Sequence, residues 1–330
     1  MKLLLVGFGN VGRALVELLV QDRRGLQIVG LFTKTRGALY CAQGLDGKAL
    51  SALPPGEPLS NHPRLAAFAT GRSIAEILAE ASVDVLVDAS PTILPDAGPA
   101  LGWCRQALER EIHVVLANKA PLIADAASLQ ESAAKSGARL LFEATVMAGT
   151  PVIQLARHGL RAERVSEVQG ILNGTSNYIL SRMDEGRRFE DALAEAQELG
   201  YAETDPSADI DGWDIAVKLV ILSQVLFDRP IALHQVARQS LRKITSADIQ
   251  KAHAQQRRWK YVGSLDESGA CVAPMALPQT HPLSQVAGAQ NAITLQGKTL
   301  GSVTLQGPGA GGKETALGIL NDLLELQGMA

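Results

Sequence analysis

Short, wholly apolar runs alternate with amphipathic stretches through the first half of the chain. Residues 3–6 (Leu-Leu-Leu-Val) make a strand-length apolar run stopped by Gly7, after which Val11, Leu15, Leu18 and Leu19 fall on one helical face. The same alternation predicts strands at 27–32, 83–88, 113–117 and 139–142, and helices at 73–81, 95–110 and 120–136. Strands apolar on both faces and separated by helices imply a parallel sheet covered on both sides. Residues 37–63, rich in Gly, Pro and Ser, break the rhythm and read as a surface excursion. Beyond Thr150-Pro151 the pattern changes. A strand at 165–172 leads into a helical block at 176–199, a Pro/Asp loop and a strongly apolar helix at 212–227. Two β-like pieces, 292–295 and 302–305, then precede a glycine loop and a last helix at 315–326. The expected layout is α/β: residues 1–135, completed by about 306–330, form a parallel-sheet domain around an inserted α+β domain, 136–305.

The first turn carries chemistry. Gly7-Phe8-Gly9-Asn10-Val11-Gly12 is GxGxxG between a strand and a helix, which makes the domain Rossmann-type. The first glycine permits the tight turn, the second lets a pyrophosphate approach the backbone, and the third allows close helix-to-strand packing at a helix N-terminus that favours anions. NAD-preferring domains usually end the second strand on an acid; here it ends Thr33-Lys34-Thr35-Arg36. With no carboxylate to repel a 2′-phosphate, and with Lys34 and Arg36 able to pair with one, the segment leans towards NADP over NAD.

Composition narrows the class. At 330 residues the chain has room for about two domains, and 46% hydrophobic with 20% charged residues describes an ordinary folded protein. The formal charge is −3, so no global field recruits nucleic acid or anionic lipid, and the run Arg257-Arg258-Trp259-Lys260 reads as a solvated face. Cys41, Cys104 and Cys271 are odd in number and far apart, which suggests neither a disulfide framework nor a clustered metal site. Residues 3–6 are too short for an export signal, and no stretch of some 18 apolar residues occurs. A soluble, cytoplasmic protein is expected.

The segment from Glu198 to Asp214 holds many carboxylates and then enters the apolar helix, where Asp214 and Lys218 lie one turn apart on the same face. The bland account is an exposed helix ion pair. The functional one places Lys218 in a desolvated cleft, where burial lowers an ammonium pKa from roughly 10.4 and suits it to act as a base. Asp214 pulls the other way unless a cationic group of the substrate occupies it. A second cluster, Asn173-Gly174-Thr175-Ser176, is a strand running into a helix start, either a plain N-cap or a carboxylate-binding turn.

Together these residues resemble the homoserine dehydrogenase family. AxxxG at Ala196 to Gly200, Asp205-Pro206 and DxxGxDxxxK at Asp209 to Lys218 match its signature, and Asn173-Gly174-Thr175, Ala117-Asn118-Lys119, Glu143 to Val146, His281-Pro282-Leu283, Asn291-Ala292-Ile293 and residues 307–311 match its landmarks in order. The resemblance implies an oxidoreductase interconverting L-homoserine and L-aspartate 4-semialdehyde with NADP or NAD, on the way to threonine and methionine. It makes Lys218 the general acid/base and sets Lys119 near the nicotinamide and the reacting oxygen. Glu203 and Asp214 hold the ammonium, and Gly174, Thr175 and Tyr201 place the amino acid. Cofactor contacts fall to Gly7, Gly9, Asn10, Val11, Gly12, Ser90, Ala117, Gly200 and Gly311. Many members carry Asn-Thr where this chain has Ala89-Ser90-Pro91, so Ser90 alone carries over there. A monovalent cation site, suited to sodium, maps to Glu143 and the main chain of Val146, Ala148 and Thr150. A homodimer through the inserted domain and the short form, without the carboxy-terminal regulatory domain, are also implied. Another amino-acid dehydrogenase on the same architecture is the alternative, and it need not share Glu203, Asp214 and Lys218.

Overall fold

The computed structural model describes residues 1–21, 24–80, 82–227 and 230–328. Residue 81, the end of the helix expected at 73–81, and residues 329–330 of the expected first domain lie outside the described residues. The chain divides into two compact units, Met1–Gly149 with Gly311–Ala330, and Thr150–Ala310.

The first unit runs β1 (Lys2–Val6), α1 (Asn10–Gln21), β2 (Gln27–Phe32), β3 (Ala38–Tyr40), α2 (Gly47–Ala52), α3 (Ile74–Glu80), β4 (Val85–Asp88), α4 (Ala100–Glu109), β5 (His113–Leu116), α5 (Ala120–Ser136) and β6 (Leu140–Leu141). Its sheet has the order β3-β2-β1-β4-β5-β6. All pairs are parallel except β3, which runs antiparallel to β2. The apolar runs explain the strands: Leu3, Leu4 and Leu5 are fully buried, and side chains of this size contribute roughly 1.5–3 kcal/mol each when taken from water. Because the chain leaves β1 towards β2 on one side and resumes at β4 on the other, a crevice opens at the carboxyl ends of β1 and β4.

Four expectations for this unit need correction. The first division falls at residue 149 and not 135, because β6 pairs in parallel with β5 and the turn Glu143–Thr145 hydrogen-bonds to the last helix of the chain through the Glu143 N–H and Asp322 Oδ2, 2.9 Å apart. The second falls at 311 and not 306, since β12 belongs to the other sheet. Residues 37–63 are more than a surface excursion: β3 adds an edge strand, Asp46 caps α2 by accepting from the Lys48 and Ala49 amides, and Leu39, Leu50, Leu53 and Leu59 are buried. The expected helix at 95–110 begins only at Ala100, because Pro95, Gly98 and Pro99 delay regular hydrogen bonding.

The second unit runs α6 (Val152–Gln154), β7 (Val165–Ile171), α7 (Gly174–Asp184), α8 (Phe189–Glu198), α9 (Ser207–Ile210), α10 (Trp213–Leu226), β8 (Ala237–Arg238), α11 (Ser246–Ala254), β9 (Arg257–Asp266), β10 (Gly269–Pro278), β11 (Gln290–Gly297) and β12 (Gly301–Pro308). The chain then returns to the first unit as α12 (Gly312–Leu326), which packs on α1. The second sheet has the order β12-β11-β7-β9-β10-β8. The expected helical block at 176–199 is two helices, α7 and α8, broken where Gly186 turns the chain with φ +93°.

The longest feature of this unit, the antiparallel hairpin β9–β10, escapes a sequence reading. A buried lysine interrupts the apolar side of β9, so the period-two signal is lost. Arg257 to Lys260 is therefore not simply a solvated face: Arg257 is exposed, but Lys260 is buried at 4% exposure. Cys41 and Cys104 are buried, whereas Cys271 on β10 is exposed. Among the described residues no helix is long and apolar enough to cross a membrane.

Candidate active site

The cofactor half lies in the first unit. After β1, Gly7 turns at φ +98°, and its N–H donates to the Phe32 carbonyl at 2.8 Å. A side chain at Gly7 would run into the Ala89 carbonyl beyond β4, and one at Gly12 into the Gly7 carbonyl. The two glycines thus bring α1, β1 and the β4 turn together, as a dinucleotide cradle requires. Gly9, Asn10 and Val11 complete the turn and open α1.

Two guanidiniums lie against the Phe8 ring, Arg13 at 4.7 Å and Arg36 at 5.4 Å from its centre. Arg36 donates to the carbonyls of Phe8 (3.2 Å), Pro54 (3.3 Å) and Glu57 (2.5 Å), and Arg13 shares the Pro54 carbonyl at 2.8 Å. Burial, then the neighbouring Arg13 charge, lower the pKa of Arg36. Lys34 is exposed. Sequence reasoning missed Arg13, whose place one turn into α1 gives no local hint of its neighbour.

At the β4 end, Ser90 and Asn118 hydrogen-bond to the buried Asp88, and Ala117 and Lys119 follow β5. Lys119 is half-buried, and its N–H reaches Thr92 Oγ1 at 3.3 Å. Gly311, at φ +119°, caps α12 and accepts from the Thr315 amide and hydroxyl. Glu143 is fully buried, Val146 and Ala148 are buried, and Met147 and Ala148 take left-handed φ values of 59° and 54°. One buried carboxylate beside a sharply turned main chain is a hard oxygen donor set, which fits a monovalent cation. Among the described residues no three His, Cys, Asp or Glu side chains converge as metal ligands.

In the second unit, β7 delivers Leu172 and Asn173 to the start of α7. Asn173 is its N-cap, accepting from the Ser176 amide at 2.9 Å. Its Nδ2 donates to Asp209 Oδ1 at 2.6 Å and to Asp214 Oδ2 at 3.1 Å. Lys218 Nζ donates to the same Asp214 oxygen at 2.8 Å and to the Leu172 carbonyl at 2.5 Å. Lys218 is 5% exposed, as the apolar helix around it requires. Thr175 Oγ1 donates to the Tyr201 carbonyl at 2.6 Å, and the rings of Tyr178 and Tyr201 are 5.0 Å apart. Gly174 packs under Ala289, whose carbonyl would lie 2.8 Å from a Cβ there. Gly200, exposed at φ +75°, ends α8, and the Thr150 hydroxyl donates to the Pro308 carbonyl at 3.0 Å.

One expected member stands apart from the group. The Glu203 side chain is exposed, and its main-chain carbonyl accepts from Gln197 at 3.1 Å. The acid hydrogen-bonded into the cluster beside Asp214 is Asp209. Its carboxyl is pushed up, first by burial and then by the Asp214 charge, against the pull of Asn173, Thr175 and Lys218. Asp209 carried a signal, being the first position of the DxxGxDxxxK pattern, but spacing alone does not say that α9 turns it back towards Asn173.

A dinucleotide cradle on a parallel sheet and a lysine–carboxylate group in a second unit define a nicotinamide-dependent dehydrogenase. The family model described as homoserine dehydrogenase, NAD binding domain, matches residues 7–143, and the homoserine dehydrogenase model matches residues 151–324. The chain belongs to the homoserine dehydrogenase family and is an NAD(P)-dependent oxidoreductase of homoserine. It is 36% identical to the NAD(+)-dependent homoserine dehydrogenase of Pseudomonas canavaninivorans, over 98% of this chain and 96% of that one. It is 34% identical to the homoserine dehydrogenase of Methanocaldococcus jannaschii, over 99% and 98% of the two chains. Among solved structures, a putative homoserine dehydrogenase from Archaeoglobus fulgidus superposes with a TM-score of 0.87 at 32% identity, covering 99% of both chains. A hyperthermophilic archaeal homoserine dehydrogenase in complex with NADPH superposes at 0.86 and 32% identity, covering 99% of this chain and 97% of that one.

Proposed function

We propose that Lys218 is the general acid/base in the interconversion of L-homoserine and L-aspartate 4-semialdehyde, a step towards threonine and methionine. The observation that carries this is the burial of its ammonium between the Leu172 carbonyl and Asp214 at the mouth of α7. A nicotinamide cofactor, when bound, would supply the acceptor or donor for the hydride exchanged at C4 of the substrate. In the forward direction Lys218 takes the hydroxyl proton as the C4–O bond becomes a carbonyl, and in reverse it gives that proton back. Asp214 and Asp209, with Glu203 on the open side of the same segment, draw the substrate ammonium. As that ammonium engages Asp214, the acid's hold on Lys218 weakens. The Gly174 and Thr175 amides at the start of α7 favour the substrate carboxylate, with Tyr201 beside them. Lys119 would act beside the nicotinamide and the reacting oxygen. Positioning of this kind supplies much of the rate in such reactions.

For the cofactor we infer contacts from Gly7, Gly9, Asn10, Val11, Gly12, Ser90, Ala117, Gly200 and Gly311, and a preference for NADP through Arg36 and Lys34. The absence of an acid after β2 supports the preference, and Arg13 beside Arg36 adds a second cation. Sodium held by Glu143 and the main chain of Val146, Ala148 and Thr150, a homodimer through the second unit, and a cytoplasmic location complete the reading. The test is homoserine-dependent reduction of NADP and NAD by purified protein, with Arg36→Ala alongside. Reduction of NADP at a several-fold lower KM than NAD is expected, with Arg36→Ala raising the NADP KM more than the NAD KM. No homoserine-dependent reduction would overturn the reaction, and equal effects on both cofactors would remove Arg36 from 2′-phosphate recognition.

A further inference from the structure

Asp88 is the last residue of β4, paired across the sheet with Val6 of β1 and Leu116 of β5. It stands where strand order reverses, at the floor of the crevice, and is fully buried. A carboxylate taken wholly out of water is costly unless its oxygens are satisfied, and here neutral groups satisfy them. The Ser90 N–H donates to Oδ1 at 2.9 Å and Asn118 Nδ2 to Oδ2 at 3.1 Å. Asn118, itself 2% exposed, also donates to Ser90 Oγ at 3.2 Å and accepts from the Ala120 amide at 3.0 Å. The Asp88 carbonyl receives the amides of Ala117 (2.9 Å) and Asn118 (3.2 Å). One side chain and its own peptide therefore fix three segments at once: the Ser90 turn, the residues that lead into α5, and the wall against which Gly7 turns.

Asn118 has no freedom in this arrangement. Its oxygen must face the Ala120 amide, so its NH2 must face Asp88 and Ser90. A neutral apolar residue at position 88 would cost less to bury, yet would remove the side-chain acceptor of the Ser90 N–H and one of the two acceptors of the Asn118 NH2. We propose that Asp88 is a positioning residue of the cofactor crevice, holding Ser90 and, through Asn118, the first turn of α5 with Lys119 in the geometry that receives the nicotinamide dinucleotide. This rests on the reading that Ser90 and Lys119 meet the cofactor.

The test compares Asp88→Asn with the exchanged pair Asp88→Asn/Asn118→Asp. A single carboxamide at position 88 offers one acceptor oxygen where two are used, and its NH2 faces that of Asn118. The exchanged pair restores the match: the carboxamide at position 88 accepts from the Ser90 N–H and donates to the carboxylate now at position 118, which accepts from the Ala120 amide and the Ser90 hydroxyl. NADPH affinity is read by fluorescence titration without homoserine, beside thermal unfolding and steady-state kinetics on the full chain. Asp88→Asn is expected to weaken NADPH binding by about ten-fold and lower kcat, with the homoserine KM within two-fold of the parent, and the exchanged pair to recover most of the affinity. NADPH affinity within two-fold of the parent in Asp88→Asn overturns the proposal. If the single variant does not fold, an exchanged pair that folds but stays ten-fold weak overturns it as well. Failure of the parent enzyme to bind NADPH is a separate outcome and speaks only against the reading beneath.

Discussion

Two lysines of the second unit are buried almost equally, Lys218 at 5% and Lys260 at 4% exposure, and each donates to a backbone carbonyl at 2.5 Å, Leu172 for one and Val286 for the other. Their second partners differ. Lys218 has a carboxylate, Asp214, at 2.8 Å, whereas Lys260 has the carboxamide oxygen of Asn177 at 3.5 Å. Burial lowers the Lys260 pKa to about 8, with Asp184 pulling it up and Arg258 pushing it down. Asn177 meanwhile donates to the carbonyls of Val286, Gly288 and Gln290, so lysine and amide together fasten the loop before β11 onto α7. On the proposed mechanism, the lysine that exchanges protons with a substrate is kept beside an acid that the substrate can claim. One that only fastens a loop is kept among dipoles, where its charge is a burden.

The largest expected effect breaks this pair apart by function. Lys218→Ala should lower kcat for homoserine by roughly 10²–10⁴-fold, the usual worth of a general acid/base, with NADPH binding nearly unchanged. Lys260→Met should leave kcat within a few-fold, and a comparable loss there would mean that the two lysines are not distinct in role.

A second effect is on stability against pH. Because the folded pKa of Lys260 is about 8 and the unfolded one roughly 10.4, the unfolded chain binds more protons between those values, so stability from this residue rises with pH across that window. The rise is on the order of 3 kcal/mol, and Lys260→Met should abolish it when denaturant unfolding of parent and variant is compared from about pH 7.5 to 10.5. A parallel pair of curves would sink this account.

The smallest effect converts one lysine's setting into the other's. Asn177→Asp gives Lys260 a carboxylate, which should flatten the same rise by about 1 kcal/mol, even though the lost amide bonds cost roughly 1–3 kcal/mol at every pH. The slope, not the absolute stability, is the measurement, and an unchanged slope would show that Asn177 and Lys260 do not interact electrostatically.

The same two lysines mark how much the sequence reveals. Lys218 is legible because its partner is one helical turn away and an apolar helix surrounds it. Lys260 is not, because Asn177 and Val286 are brought to it by sheet pairing and a loop, and its presence on the buried side of β9 erased the alternation that would have announced the hairpin. In the first unit the runs at Leu3 to Val6 and Val85 to Val87 give the strands directly, since a strand buried on both faces has no polar side to confuse the signal. Residues 39–59 hide their buried leucines among Gly and Pro, where no period applies. The segment from Glu198 to Lys218 gives Asp214 and Lys218 as neighbours, as the structure has them, but α9 alone decides that Asp209, not the Glu203 side chain, bonds to Asn173. Asp88 looked like an ordinary strand end, for its donors Ser90 and Asn118 meet only when β4 and β5 lie side by side.

Cys271 has a practical consequence. Cys41 and Cys104 are shielded while this thiol on β10 is open to reagents, so a maleimide fluorophore can be delivered to one known address in the second unit without mutating the others. Partial burial and the charge of Asp266 raise its pKa, which favours labelling under mildly alkaline conditions. A dye at that address would report on the unfolding of the second unit.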